Sequence, residues 1–163
     1  MEPYLGLIKL FPYNFAPYSW VFCAGQILPV QQYSALYVLL GNKFGGDGRS
    51  TFALPDLQGA EPQSGNRYCI ALQGIFPSRD GSSMESLLGQ IELFPYDFEP
   101  YNWARCDGRL LSISKYTALF SLIGTHYGGD GKITFALPNL KGTEPVPGTN
   151  YYIALDGMYP QRP

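Results

Sequence analysis

The chain is written twice. Leu88-Gly89-Gln90-Ile91-Glu92-Leu93-Phe94-Pro95-Tyr96 repeats Leu5-Gly6-Leu7-Ile8-Lys9-Leu10-Phe11-Pro12-Tyr13, and Trp103-Ala104-Arg105-Cys106 repeats Trp20-Val21-Phe22-Cys23. Gly128-Gly129-Asp130-Gly131 and Phe135-Ala136-Leu137-Pro138 repeat Gly45-Gly46-Asp47-Gly48 and Phe52-Ala53-Leu54-Pro55. The offset is 83 residues throughout, without a gap, and 40 of the 77 pairs between Tyr4–Asp80 and Leu87–Pro163 are identical. That identity makes the halves copies of one domain. A residue that both copies keep is a candidate for the fold, and a residue in one copy alone is a poor candidate for chemistry shared by both.

A chain of 163 residues built this way is expected to hold two small domains, 1–80 and 86–163, joined by a polar, Gly/Ser-rich linker at 81–85. Domains of this size bury a limited fraction of their surface, so packing between copies or between chains is expected. A period this long, present only twice, is not the pattern of a solenoid. The 13 Tyr, 19 Gly and 14 Pro point to a turn-rich protein with much structure outside regular elements.

Within each copy, Leu7–Phe11 alternates as a strand. Two prolines in Pro12–Pro17 mark a turn region. Trp20–Ala24 reads as a second strand, with Ile27–Pro29 pairing back on it. Gln31–Leu40 is the best helix, because Tyr33, Leu36, Tyr37 and Leu40 share one face, and Gly41 stands where a terminating glycine belongs. The second copy offers Ser112 or Ser114 as the helix cap and Gly124 as its stop. Thr51–Leu54 and Tyr68–Leu72 are further short strands. The expected class is α+β: two tandem copies of a small, loop-rich domain with short strands and one helix each.

Charge narrows the function classes. Residues 1–83 carry five basic and five acidic side chains, and the rest carry six and eight. No basic stripe for nucleic acid and no polybasic segment for an anionic membrane is present. No apolar run approaches the roughly 20 residues that cross a bilayer, so membrane insertion is not expected. Met1-Glu2-Pro3-Tyr4 lacks the charged and apolar regions of a secretory signal, so any exit from a cell is expected to need lysis or a specialised machine. Cys23 and Cys106 are equivalent and Cys69 is matched by Tyr152. That pattern suits small buried side chains rather than a disulfide framework or a zinc site.

The loops Gly45–Gly48 and Gly128–Gly131 invite a phosphate reading, which the spacing refuses. Lys43 and His126 stand where a phosphate-binding loop needs its first glycine, and Gly131-Lys132 is followed by Ile133. Calcium would need several more spaced oxygen ligands. A tight turn with Asp47 or Asp130 fixing backbone amides is the plain alternative, and a ligand contact at these two acids stays open beside it. His126 is the only histidine, and copy one has Lys43 there. It reads as an exposed loop residue; three copies meeting on a trimer axis is the remote alternative. No metal and no cofactor is expected. Glu61 and Glu144 are the other acids both copies share. A small hydrolase using Asp130 and Glu144 is formally open, without a second signal for an active site.

The aromatic segment Phe11–Trp20 recurs as Phe94–Trp103. Tyr and Trp stack on sugar faces and are favoured at protein interfaces, yet small domains also build their cores from them. Phe15, Trp20 and their counterparts are assigned to the core. Tyr13, Tyr18, Tyr96 and Tyr101 are assigned to the surface as binding or assembly candidates.

These residues together resemble a known family. Leu5-Gly6-x-Ile8-x-Leu10-Phe11, Asn14-Phe15-x-Pro17-x-x-Trp20, Cys23-x-Gly25, a helix ending Leu39-Leu40-Gly41, and Gly45-Gly46-Asp47-Gly48 followed by Phe52-x-Leu54-Pro55-Asp56-Leu57-x-Gly59 look like the phage tail collar domain, a form shared by bacterial tail-fibre-like proteins. The resemblance covers about residues 5–62 and 88–145. It implies a non-enzymatic structural protein of a phage or phage-derived particle that self-associates into a homo-oligomer. Cell-surface polysaccharide or other tail proteins are the further partners it implies. A carbohydrate-binding module is the alternative.

Overall fold

The computed structural model describes residues 2–78 and 86–162. The expected linker at 81–85 lies outside them. The chain divides into two compact units that do not follow the repeat boundary. The first is Met1–Pro77 with Leu93–Asp97 and Pro145–Thr149; the second is Ser78–Glu92, Phe98–Glu144 and Asn150–Pro163.

Twelve short elements carry the fold among the described residues. The first repeat supplies β1 (Ile8–Phe11), β2 (Trp20–Phe22), β3 (Ile27–Pro29), α1 (Ser34–Leu40), β4 (Thr51–Ala53) and β5 (Arg67–Ala71). The second supplies β6 (Ile91–Phe94), β7 (Trp103–Arg105), β8 (Leu110–Ser112), α2 (Thr117–Ile123), β9 (Thr134–Ala136) and β10 (Asn150–Ala154) in the same order. Strand predominates over helix.

In the first unit β5 lies between β2 and β1, antiparallel to both, with Val21 and Ile8 each opposite Ile70. β1 also takes β6 antiparallel, Ile8 opposite Leu93. β3 pairs with β4, Leu28 opposite Phe52, not back onto the second strand as expected. The pairing is decided by the turn after Cys23: Gln26 accepts the Ala24 amide and donates to the Phe22 carbonyl, folding the chain away from β2. In the second unit β10 pairs with β7, Ile153 opposite Ala104, and β8 with β9, Leu111 opposite Phe135.

The helices are shorter than the periodicity predicts. α1 begins at Ser34, not Gln31, because the β3–β4 ladder continues through the Val30 amide to the Ser50 carbonyl, and Val30–Tyr33 is spent on a turn. Neither Ser112 nor Ser114 caps α2. Ser112 is held in β8 opposite Thr134, and the Ser112 and Ser114 hydroxyls bond each other. Thr117 instead returns its hydroxyl to the Ile113 carbonyl at 3.1 Å. The glycine stops are real: Gly41 and Gly124 take φ of 60° and 55° and donate to the Tyr37 and Phe120 carbonyls.

A seven-residue helix does not persist in water by itself, so packing must hold each one. Leu36, Leu39 and Leu40 bury one face of α1 in the core of the first unit, with Phe52, Leu54 and Ile70. In the second unit Leu119 does this, in a cluster with Leu88, Ala104, Cys106, Phe135, Leu137 and Ile153. Burying a leucine of this kind stabilises by about 2 kcal/mol.

Gly46 and Gly129 show how tightly the loop is laid on this core. Their φ values are 89° and 92°, and a Cβ on either would overlap the backbone of Phe52 or Phe135. Both the strained φ and the overlap act on Gly129→Ala. It is expected to lower stability by about 2 kcal/mol or more, read as a drop in the thermal unfolding midpoint. Ala at Gly142, also at positive φ but with open space around it, is expected to cost less.

Candidate functional site

The Gly-Gly-Asp-Gly loops are built alike in both units. The Asp47 Oδ1 atom accepts the backbone amides of Arg49, Ser50 and Thr51 at 2.8–2.9 Å, and its Oδ2 accepts the Ser50 hydroxyl. Asp130 accepts those of Lys132, Ile133 and Thr134 at 2.8–2.9 Å. Thr51 and Thr134 return a hydroxyl acceptor to the amides of Asp47 and Asp130. Amides held against a carboxylate favour its ionised form. Hydrogen bonds from the amides of Arg49, Thr51 and Ser50 hold Asp47 well below the usual carboxylate range, and the corresponding amides lower Asp130 to about 2. A carboxylate held this way is a poor proton acceptor.

Other acids at repeated positions also organise turns. Glu61 and Glu144 accept the Gly59 and Gly142 amides at 2.8 and 2.7 Å. Asp56 and Asn139 accept from Gln58 and Lys141. An amide oxygen serves as well as a carboxylate there, which explains why the copies differ. Among the described residues no group of three or more His, Cys, Asp or Glu comes together to hold a metal. Burial pushes all three thiols up, Cys106 to about 12, so they stay protonated and unreactive. His126 lies exposed in its loop, its ring against Tyr127 at 4.9 Å.

The aromatic segments are where the copies part. In the first, Phe11, Tyr13 and Phe15 form an open stack, with centroids 5.5 and 5.3 Å apart, and Trp20 meets the edge of Phe11. Tyr13 is 42% exposed and Phe15 61%. In the second, Tyr96 is fully buried in the first unit, stacked on Phe94 at 4.7 Å, with its hydroxyl donating to the Leu5 carbonyl. Two assignments made from the sequence are therefore corrected. Phe15 is not in the core, because Tyr13, the ring stacked on it, is itself at the surface. Tyr96 is not at the surface, because the first unit takes in Leu93–Asp97 and offers a carbonyl to its hydroxyl.

Tyr18 and Tyr101 occupy the tips of equivalent turns. Ser19 and Asn102 follow them at φ of 69° and 64°, and the Trp20 and Trp103 amides close each turn on Pro17 and Pro100. Tyr18 is 93% exposed. Tyr101 borders a cleft of about 590 Å³ in the second unit, shared with Leu88, Lys115, Thr117, Asp156 and Tyr159. Nothing in the sequence singled out Lys115, Asp156 or Tyr159. Their counterparts, Gln32, Gln73 and Phe76, are less polar or uncharged, and the only signal was that difference between copies.

The second unit also carries an ion cluster that the sequence reading passed over. Arg109 reaches Glu99 at 2.6 Å and Asp107 at 2.9 Å, and the Glu99 carboxylate accepts the Arg105 amide. Bonding to Arg109 lowers Asp107. Copy one has Ala16, Ala24 and Gln26 at these positions, and there Gln26 alone ties the same turn. The cluster is a second way of fixing one turn.

Among the described residues, both units are organised around the same repeated turns. The family model of the phage tail collar domain matches residues 6–62 and again 89–145. The chain belongs to the phage tail collar family. Each match runs from the first strand of a repeat through the Gly-Gly-Asp-Gly loop to the Glu61 or Glu144 turn, so the family's pattern is the turn scaffold just described. This is a family of structural tail domains rather than of enzymes. Neither a curated protein nor a solved structure matches the chain. Among the described residues no helix is long and apolar enough to cross a membrane.

Two outcomes follow from this geometry. Asp47 and Asp130 titrate below their unfolded values, so the stability they contribute is complete above about pH 4 and is lost as pH falls through the folded value, about 2 for Asp130. Asp130→Asn keeps an amide acceptor but removes the charge. Its unfolding midpoint is expected to lie below that of the unsubstituted chain at pH 7, and the difference to narrow between pH 4 and pH 2. Tyr96→Ala is expected to cost about 3 kcal/mol or more, by analogy with emptying a buried aromatic site. Tyr13→Ala is expected to stay within about 0.5 kcal/mol, as exposed positions do. Urea unfolding of the two variants compares them directly.

Proposed function

We propose that the chain is a non-enzymatic tail-collar component that self-associates and, in its assembled form, helps attach a particle to a bacterial surface. The observation that carries self-association is the aromatic stack of half-buried Phe11 with exposed Tyr13 and Phe15 in the first unit. Aromatic side chains of this kind are enriched at the centres of protein interfaces, where they supply large contact area with few rotatable bonds. Family membership supports a place in a tail-like particle. The protomer mass is 18.1 kDa. Light scattering of the purified protein is expected to give a multiple of this, with regular rings or fibres in negative stain. A protein that remains at the protomer mass at every concentration tested overturns the assembly reading.

Carbohydrate binding is the second reading, and the cleft in the second unit is what favours it. Tyr101 and Tyr159 are partly exposed on its wall, Asp156 and Lys115 add charge, and Asn102 reaches Asp156 at 3.5 Å. An aromatic face beside hydrogen-bonding groups suits a sugar ring. Titration with bacterial surface polysaccharide is expected to change tyrosine and tryptophan fluorescence in the unsubstituted chain and not in Tyr101→Ala. A response that survives this substitution places any glycan site elsewhere.

A further inference from the structure

Every residue that lines the cleft beside Tyr101 belongs to the second unit, and the first repeat shows what each of them replaced. The apolar lining is common to both copies. Leu88, Leu119 and Leu155 stand where the first repeat has Leu5, Leu36 and Leu72. The differences fall on polar positions. Lys115 replaces Gln32 and Asp156 replaces Gln73, so two neutral amides become a cation and an anion. Asn102 replaces Ser19, and Tyr159 replaces Phe76.

Two of these changes involve a neighbour. In the first repeat the Ser19 hydroxyl donates to Gln73 at 3.2 Å. In the second the Asn102 amide lies 3.5 Å from Asp156, so the pair is kept and a charge is added to it. The Tyr159 hydroxyl lies 2.7 Å from that of Ser121, where the first repeat has Phe76 and Val38, neither able to make the bond. A hydrogen bond present in one copy alone therefore holds the Tyr159 ring on the cleft wall.

The two new charges are not equally satisfied. The Asp156 carboxylate accepts the Gly157 amide at 2.9 Å and faces Asn102. Lys115 reaches the ring of Tyr116, 5.5 Å from its centroid. Among the described residues no carboxylate lies within ion-pair distance of Lys115, whereas Lys43 has Asp97 at 2.9 Å. An ammonium on a cleft wall without a counter-ion favours an anionic ligand. The chain carries a net charge of −2, so its overall field does not gather anions, and the attraction must be local.

We propose that this cleft takes a sugar chain containing uronic-acid units. The carboxylate of one unit pairs with Lys115, ring hydroxyls meet Asp156 and Asn102, and the apolar face of a ring lies on Tyr101. The inference rests on the carbohydrate reading above and adds the class of sugar. A carboxylate beside an amide side chain offers acceptors and donors together, as hydroxyl groups need. The cleft, at about 590 Å³, has the size of sites for ligands well beyond a lone carboxylic acid. Binding is expected to weaken as salt rises, because an exposed ion pair is screened.

Titration calorimetry of the full chain tests this with three oligomers of equal length: an oligogalacturonate, a neutral galactose oligomer and a glucosamine oligomer. Mildly acidic buffer keeps the first anionic and the third cationic. The oligogalacturonate is expected to bind about tenfold more tightly than the others, the size of one charged hydrogen bond. Lys115→Gln, which restores the first repeat's residue at an exposed position, is expected to remove that advantage and to leave binding of the neutral oligomer unchanged. Tyr101→Ala is expected to weaken both. Equal unfolding midpoints establish that the variants are folded. If the neutral oligomer binds as tightly as the acidic one and Lys115→Gln alters neither, the acid preference is overturned and carbohydrate binding stands. A preference for the glucosamine oligomer overturns it as well, and assigns selection to Asp156. An oligogalacturonate that binds both variants undiminished places the site elsewhere and overturns the proposal. No heat with any of the three overturns the proposal, and no response to bacterial surface polysaccharide removes the carbohydrate reading with it.

Discussion

One carboxylate gathering three backbone amides is the contact on which each repeat depends. Asp47 and Asp130 close loops that have too few apolar side chains to hold themselves. Closure lays Gly46 or Gly129 against the strand that follows, where any side chain would collide with backbone. That strand carries Phe52 or Phe135 into the core, and the short helix packs on the same core. In the first repeat the Tyr37 hydroxyl adds a further tie, donating to the Gly48 carbonyl at 2.9 Å. Phe120 has no hydroxyl to do this, and the second loop is held by Asp130 and Thr134 together with backbone bonds such as the Gly131 amide to the Thr134 carbonyl. The aspartate is required at this point in the chain, while its surroundings can vary.

Periodicity and turn chemistry made much of this legible. The alternation in Leu7–Phe11, the spacing of Leu36 and Leu40, and the glycines at 41 and 124 each report a local constraint, and local constraints are written locally. The reading of Asp47 and Asp130 as turn-fixing acids also came from residue type and position. The partners of β3 could not be read this way, because Gln26 redirects the chain through two hydrogen bonds that leave no periodic trace. The helix starts were misplaced for a similar reason: the ladder between β3 and β4 claims Val30, and β8 claims Ser112 before a cap can form.

The candidate site was legible as a set of residue types but not as a set of environments. Tyr13 and Tyr96 stand in nearly identical sequence, and one is open to solvent while the other is sealed in a core with its hydroxyl bonded. Burial is decided by what a segment meets, and residues about 90 positions away decide it here. Lys115 lines one cleft with Asp156 and Tyr159, although it lies on a different stretch of the chain from that pair. Duplication made residues shared by both copies prominent and hid those that matter in only one.

The first unit includes residues as late as Thr149. On the ribosome, the first repeat emerges with its Tyr96 seat empty and its Lys43 without Asp97, and it waits until most of the second repeat has been made. The part of the protein synthesised first is complete only when the chain is nearly all made. Sequence separations of this length slow folding, and apolar surface is bare for as long as the wait lasts. A nascent first repeat therefore passes through an interval in which a neighbouring ribosome's product can fill the seat that its own chain has yet to supply.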